Sequence, residues 1–256
     1  MNAQRVSAHG SFTNSVGNIE TWQHLAADID EQHRVRGQEM RTLGLATQAA
    51  RVESCGVEGS RWSCKQRLCP RCAEQHAKEN AARAIASIRG MHRPHWVLFD
   101  IATRETADLR ETVATCRKAL ASIRRRLCFR GVRAGVGGLE LGRSDSDGFW
   151  VVHFHCALDA DTIHESEINN AWRGLVSSRG RFSVWHRAPI VQNPIATAQY
   201  MTKASGWCPA PGSMPLHQLG LVRRAILGRH LLWRWPNARG VQHCEAVTVG
   251  QGAVAA

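Results

Sequence analysis

The sequence predicts an α+β fold, a central antiparallel sheet with packed helices, preceded by a small zinc-binding segment. Three observations carry that expectation. From His95 onward, strand-forming runs and helical stripes follow the order β-α-β-β-α-β and then a helix, which is the ferredoxin-like order. Four of the nine cysteines crowd together just ahead of it, at Cys55, Cys64, Cys69 and Cys72. The 256 residues are 43% apolar, enough for a core. No run approaches the roughly 18 apolar residues of a membrane span, and Met1 to Gly17 holds no apolar signal segment, so a cytoplasmic protein without a membrane partner is expected.

Residues 1–50 are polar, and the sequence does not disclose their role; Trp22, Leu25, Ala26 and Ile29 stand at helical spacing within a candidate helix from Trp22 to Ala50. Residues 51–90 are the cysteine segment and a helix over Ala73–Ile88, which lacks Gly and Pro and is closed by Gly90 and Pro94. Residues 91–206 are the main unit. His95–Thr103 reads as a strand and Glu105–Phe129 as a helix with one apolar stripe; Gly135–Gly142 and Phe149–Leu158 read as strands joined by a turn over 143–148. Ile163–Val176 is a helix, Arg181–Ala188 a strand, and Pro194 starts a short helix over Ile195–Ala204. Helices are expected on one face of the sheet. Residues 207–256 hold helical character over Pro215–His230 and a loose tail.

The net charge is +12 and the pI near 10.0. All but four of the 33 basic residues are arginine, the lysines being Lys65, Lys78, Lys118 and Lys203. Codon bias accounts for arginine over lysine but not for the net charge, which points to nucleic acid. Arg124–Arg126 and the pair Arg223 and Arg224 are candidate phosphate contacts or solvated helix faces.

The cysteine spacing, Cys-x8-Cys-x4-Cys-x2-Cys, suits a tetrahedral structural zinc, with Pro70 stiffening the Cys69–Cys72 knuckle and a helix N-terminus beside the thiolates. Four free thiols are the plainer alternative. Arg61, Arg67 and Arg71 either touch phosphate or are solvated.

In Trp150–Leu158, alternation puts His153 and His155 on one face and Val152, Phe154, Cys156 and Leu158 on the other, toward the core. Two imidazoles side by side make a metal clip; surface histidines are the alternative. Glu140, between the core-facing Leu139 and Leu141, would come alongside as a third ligand unless it is simply exposed. A carboxylate there favours Mg²⁺ or Mn²⁺. Tyr200 is the single tyrosine, and Lys203 lies one helical turn on, where an ammonium favours phenolate. Alone, Tyr-x-x-Lys also fits an amphipathic helix edge; its position after the histidine pair gives it meaning.

Together these residues resemble the rolling-circle replication initiator (Rep) proteins of plasmids, in the HUH endonuclease superfamily. Trp62–Cys72 looks like the family's cysteine segment, Trp96–Thr103 its structural strand, His153-Phe-His155 its metal motif with Glu140 as acidic ligand, and Tyr200-Met-Thr-Lys203 its tyrosine motif. The resemblance implies an RRM-like HUH palm over residues 91–206. It also implies metal-dependent nicking of single-stranded or hairpin-extruded origin DNA through a 5′-phosphotyrosine at Tyr200, leaving a 3′-hydroxyl primer. Host helicase and polymerase would be partners, with room for a dimer at the origin; no helicase P-loop is present in the chain. Relatives that carry an acid one turn before the tyrosine differ here, where Ala196 stands, and there is no second tyrosine. Termination is therefore open among a second protomer, an activated water and a distant carboxylate such as Glu165 or Glu167. Competing readings are an HUH transposase or relaxase, a non-catalytic zinc-dependent DNA-binding regulator, and a zinc hydrolase that uses water.

Overall fold

Runs with an apolar residue at every second position become ten-residue strands: β1 (Pro94–Thr103), β2 (Ala134–Arg143), β3 (Trp150–Asp159) and β4 (Arg181–Ile190). The computed structural model describes residues 29–56, 63–103, 109–143, 149–176, 181–202, 211–227 and 231–235. A fifth strand, β5 (Leu232–Trp235), joins the sheet where the sequence suggests only a loose tail. Every neighbouring pair is antiparallel, in the order β4-β1-β3-β2-β5. β3 therefore lies between β1 and β2, and the connection from β1 to β2 is a split β-α-β. The expected antiparallel sheet and α+β class are present.

The helices are α1 (Ile29–Thr42), α2 (Ala46–Glu53), α3 (Pro70–Arg89), α4 (Leu109–Ile123), α5 (Glu165–Val176), α6 (Pro194–Thr202) and α7 (Leu216–Ile226). α3 begins three residues before the expected start because Pro70 fits the first helical position, where its missing N–H costs nothing. The long helix expected over 105–129 ends at Ile123; Leu127–Phe129 is a separate 3₁₀ turn. The part of the candidate N-terminal helix that is described is two helices. Gly44, at φ +74°, ends α1 in a left-handed turn, with Leu45 N donating to Met40 O (2.9 Å) and Gly44 N to Arg41 O (2.8 Å).

Alternation sorts the strands onto two faces. Val97, Phe99 and Ile101, Leu139 and Leu141, and Val152, Phe154, Cys156 and Leu158 are buried with residues of α4, α5 and α7 in the main core. Burying a side chain such as Phe154 or Ile101 contributes roughly 1.5–3 kcal/mol. The opposite face is also covered, which corrects the expectation of helices on one face. There Val136 and Ala157, with Trp96, pack against Ala84 and Ile88 of α3 and Ala198 and Met201 of α6. Small residues on α3 and α6 let the two helices lie close, and a weak, alanine-rich stripe suffices to hold them. No described helix is long and apolar enough to cross a membrane.

Candidate metal centres and the tyrosine helix

Two clusters of metal-type side chains stand apart in the molecule. The first is the cysteine cluster. Cys55 follows α2, Cys64 lies in the approach to α3, Cys69 is the residue before its first turn, and Cys72 lies within that turn. Their sulfurs all lie within 4.8 Å of one another, and the group can hold a metal ion such as zinc. Cys72 Sγ is 3.6 Å from Cys55 Sγ and 3.5 Å from Cys64 Sγ. Zinc–sulfur bonds of about 2.3 Å in a tetrahedron put the sulfurs ~3.8 Å apart, so the cage has the right size. Hydrogen bonds from Cys64 and Cys69 hold the Cys72 thiol far below its ordinary range, at about 2. Bonding to Cys64 and Cys72, with burial, pushes Cys69 up.

The N-terminal helices, whose role the sequence leaves undisclosed, wall this cluster. Met40, Ala49 and Val52 share a small buried core with Cys55, Cys69 and Cys72. His33 of α1 is buried, and its Nε2 lies 3.5 Å from Cys69 Sγ. Burial, and then the Arg71 charge, hold its imidazole below the ordinary range, so near neutral pH it is uncharged. No spacing rule finds a contact 36 residues upstream of its sulfur. Of the arginines in this segment, Arg71 is exposed and Arg67 half-buried, and Arg61 lies outside the described residues.

The second cluster is on the sheet face under α6. In register, His153 lies between Asp100 of β1 and Glu140 of β2, and His155 between Leu98 and Gly138. His153, His155 and Glu140 thus share one face, as alternation implies. His155 Nε2 donates to Glu140 Oε2 at 2.9 Å, and His153 Nδ1 to Asp100 Oδ1 at 2.6 Å. Asp100 is the residue that sequence reasoning missed; an acid inside an otherwise apolar strand is the signal that could have found it. Trp172 Nε1 donates to the Asp100 carbonyl (3.1 Å), which fixes this point of β1. With the Nδ1 proton held by Asp100, the His153 lone pair resides on Nε2. His155 is only 4% exposed; burial holds its imidazole below the ordinary range against the opposing pull of Glu140, and its Nδ1 is buried with no hydrogen-bond partner among the described residues. Packing orients this ring: Trp96 stacks on it, with centroids 5.4 Å apart.

Tyr200 completes the face. Asn193 Oδ1 accepts from Ile195 N (3.1 Å) and Ala196 N (3.0 Å), capping α6 ahead of Pro194. The Tyr200 ring meets His155 edge-on at 5.0 Å and Trp96 at 5.9 Å. The approach depends on Gly138, the strand neighbour of His155: a Cβ there would overlap the backbone carbonyl oxygen of Met201. The glycine admits the tyrosine helix onto the sheet. Lys203 lies outside the described residues. Ala196 occupies the first turn of α6, and no described acid lies on that helix.

The arginines offered as candidate phosphate contacts or solvated helix faces lie away from the tyrosine face. Arg124–Arg126 follow α4, and Arg223 and Arg224 are in the last turn of α7, on the helices that cover the other face of the sheet. Comparison of the chain with family models, curated proteins and solved structures finds no match.

Proposed function

We propose that the chain is a plasmid rolling-circle replication initiator of the HUH type, a metal-dependent single-strand DNA endonuclease and strand transferase with Tyr200 as nucleophile. The observation that carries this reading is the seating of the only tyrosine against His155, on a sheet face that also presents His153 and Glu140. His155 Nε2 and Glu140 Oε2 are 2.9 Å apart, close to the ~3.0 Å edge expected between neighbouring ligands at about 2.1 Å from one ion, which would displace the proton they share. The donor set of two imidazoles and a carboxylate fits Mg²⁺ or Mn²⁺, with His153 Nε2 as the remaining ligand. A divalent cation held there would supply Lewis acidity and charge neutralisation at the scissile phosphate.

The residues divide the remaining work. Asp100 holds the His153 ring in one tautomer and orientation. Trp96 and α6 fix His155 and shield it from water. The Tyr200 phenolic oxygen attacks phosphorus, a new P–O bond forms and the bond to the 3′ oxygen breaks. The phenolic proton passes to solvent, and the departing oxygen takes one up as a 3′-hydroxyl. Lys203, three residues on in the sequence, would bring positive charge to the phosphate. In this reading the ferredoxin-like sheet is the HUH palm, and the cysteine cluster carries a structural zinc. The 3′-hydroxyl would prime a host polymerase behind a host helicase.

The test incubates the protein with 3′-labelled single-stranded DNA fragments tiling its own replicon in Mg²⁺ or Mn²⁺ and runs a denaturing gel. Label retained on the wild-type protein only with metal, and lost in Tyr200→Phe, is the expected result. Binding without adduct or cleavage would favour a DNA-binding regulator, and cleavage without adduct a water-using hydrolase; either overturns the proposal.

A further inference from the structure

We infer that the layer formed by α4, α7 and β5 is a duplex-DNA backbone surface, separate from the tyrosine face and on the opposite side of the sheet. The charge arrangement argues first. No Asp or Glu occurs between Glu111 and Glu140 or between Glu167 and Glu245. Arg124, Arg125, Arg126 and Arg224 are exposed, and Arg117 and Arg223 half-buried. None of these six joins an ion pair among the described residues. Arg133 makes the contrast: its guanidinium is taken up by Asp159 (2.9 Å) and Asp161 (2.8 Å).

Preorganisation argues second. The Arg117 guanidinium lies 5.0 Å from the centroid of the Trp233 ring, and Arg124 5.7 Å from that of Trp235. Stacking holds each planar fork in place while its edge N–H groups remain able to meet phosphate. Arg117 lies on α4, and Arg124 follows its last residue, seven positions further along the chain.

The same contacts select the double helix over a single strand. Single strands bind in grooves where bases stack on open aromatic rings. Here Trp233 and Trp235 also pack on Phe154, and Trp235 on Phe129, so they offer no stacking platform. What remains is positive charge on two helices and the turn after one of them, which suits the regular phosphate rows of a duplex. A strand held at Tyr200 would leave this layer uncovered. The surface reads backbone and not sequence, and it stands whether or not Tyr200 is a nucleophile.

The experiment measures fluorescence anisotropy of a 20-base-pair duplex and of its single strand over a range of salt, with full-length protein. Two variants are compared: Arg117→Gln with Arg124→Gln, and Arg125→Gln with Arg126→Gln, the latter leaving the indole contacts intact. Each pair is expected to weaken duplex binding at least tenfold and to flatten the slope of log K against log salt by about 1.8, at ~0.9 per phosphate contact. Single-strand binding should change less than twofold. Unchanged duplex affinity and slope in both variants, or an equal loss for single strand and duplex, would overturn the inference. Adduct formation at Tyr200 is read separately, so failure of the nicking proposal is told apart from failure of this one.

Discussion

The cysteine cluster, which can hold a metal ion, and the histidine–tyrosine face are assembled in opposite ways. The four cysteines come from one short stretch of chain and differ little in chemistry. The other face draws Asp100 from β1, Glu140 from β2, His153 and His155 from β3 and Tyr200 from α6. A local cluster is fixed by spacing and turn geometry, and its loss releases the segments around it. A face built across strands is fixed by register, and its loss leaves the sheet standing. The comparison teaches that a local cluster ties down the segments beside it, whereas a face set by register rests on a scaffold that does not need it.

The largest effect should come from breaking the local cluster. Replacing Cys69 and Cys72 with serine is expected to abolish the bound metal equivalent. The apparent metal-binding free energy at such sites is on the order of 10 kcal/mol, and α1 and α2 have little other core to hold them. Zinc quantitation and limited proteolysis measure this: cleavage should appear within 29–56 while the sheet stays resistant. A protein that keeps α1 and α2 protected without metal would break the contrast.

Next comes the scaffold of the second face. Gly138→Ala should cost about 1–3 kcal/mol in denaturant unfolding, because the added methyl must push α6 off β2. It should also lower adduct yield, with zinc content unchanged. Asp100→Asn should then weaken Mn²⁺ binding about 10–100-fold by titration, through loss of the His153 tautomer lock, again with zinc content unchanged. Equal Mn²⁺ affinity in the variant would remove Asp100 from the site.

The smallest effect is a pH dependence shared by both regions. His95 is buried, its Nε2 donates to Ala160 O (3.0 Å), and burial, ahead of other influences, holds its folded pKa below the unfolded value of about 6.5. Below that pH the unfolded chain binds more protons, so stability is full above about 6.5 and falls as pH drops. His33 and His155 carry the same sign. Urea midpoints at pH 7.5 and 5.5 should show the decline, and His95→Gln should make it shallower.

How much of this the sequence discloses follows the same divide. The cysteine cage is legible because its ligands lie close together along the chain. The split β-α-β sheet is legible because alternation and helical stripes are strong from β1 to α6. His153, His155 and Glu140 sharing a face follows from period two alone. The helices on the second face are not legible, because α3 contributes mainly Ala84 and Ile88, a stripe too weak to announce a packing surface. β5 is hidden because four residues carry no period, and its place beside β2 is held by tertiary packing of Trp233 and Trp235. Asp100 and Gly138 reach the histidines only through register, and His33 reaches Cys69 only through the fold of α1 over the cysteines.

The most direct test of the central claim is to locate the nucleotide on the protein. After reaction with 3′-labelled single-stranded DNA and Mn²⁺, the adduct is digested with trypsin and nuclease, and the modified peptide is sequenced by mass spectrometry. The account predicts a nucleotide on residues 188–203, at Tyr200, the only tyrosine in the chain. A nucleotide on any other residue, or cleaved DNA with no modified peptide, would contradict it.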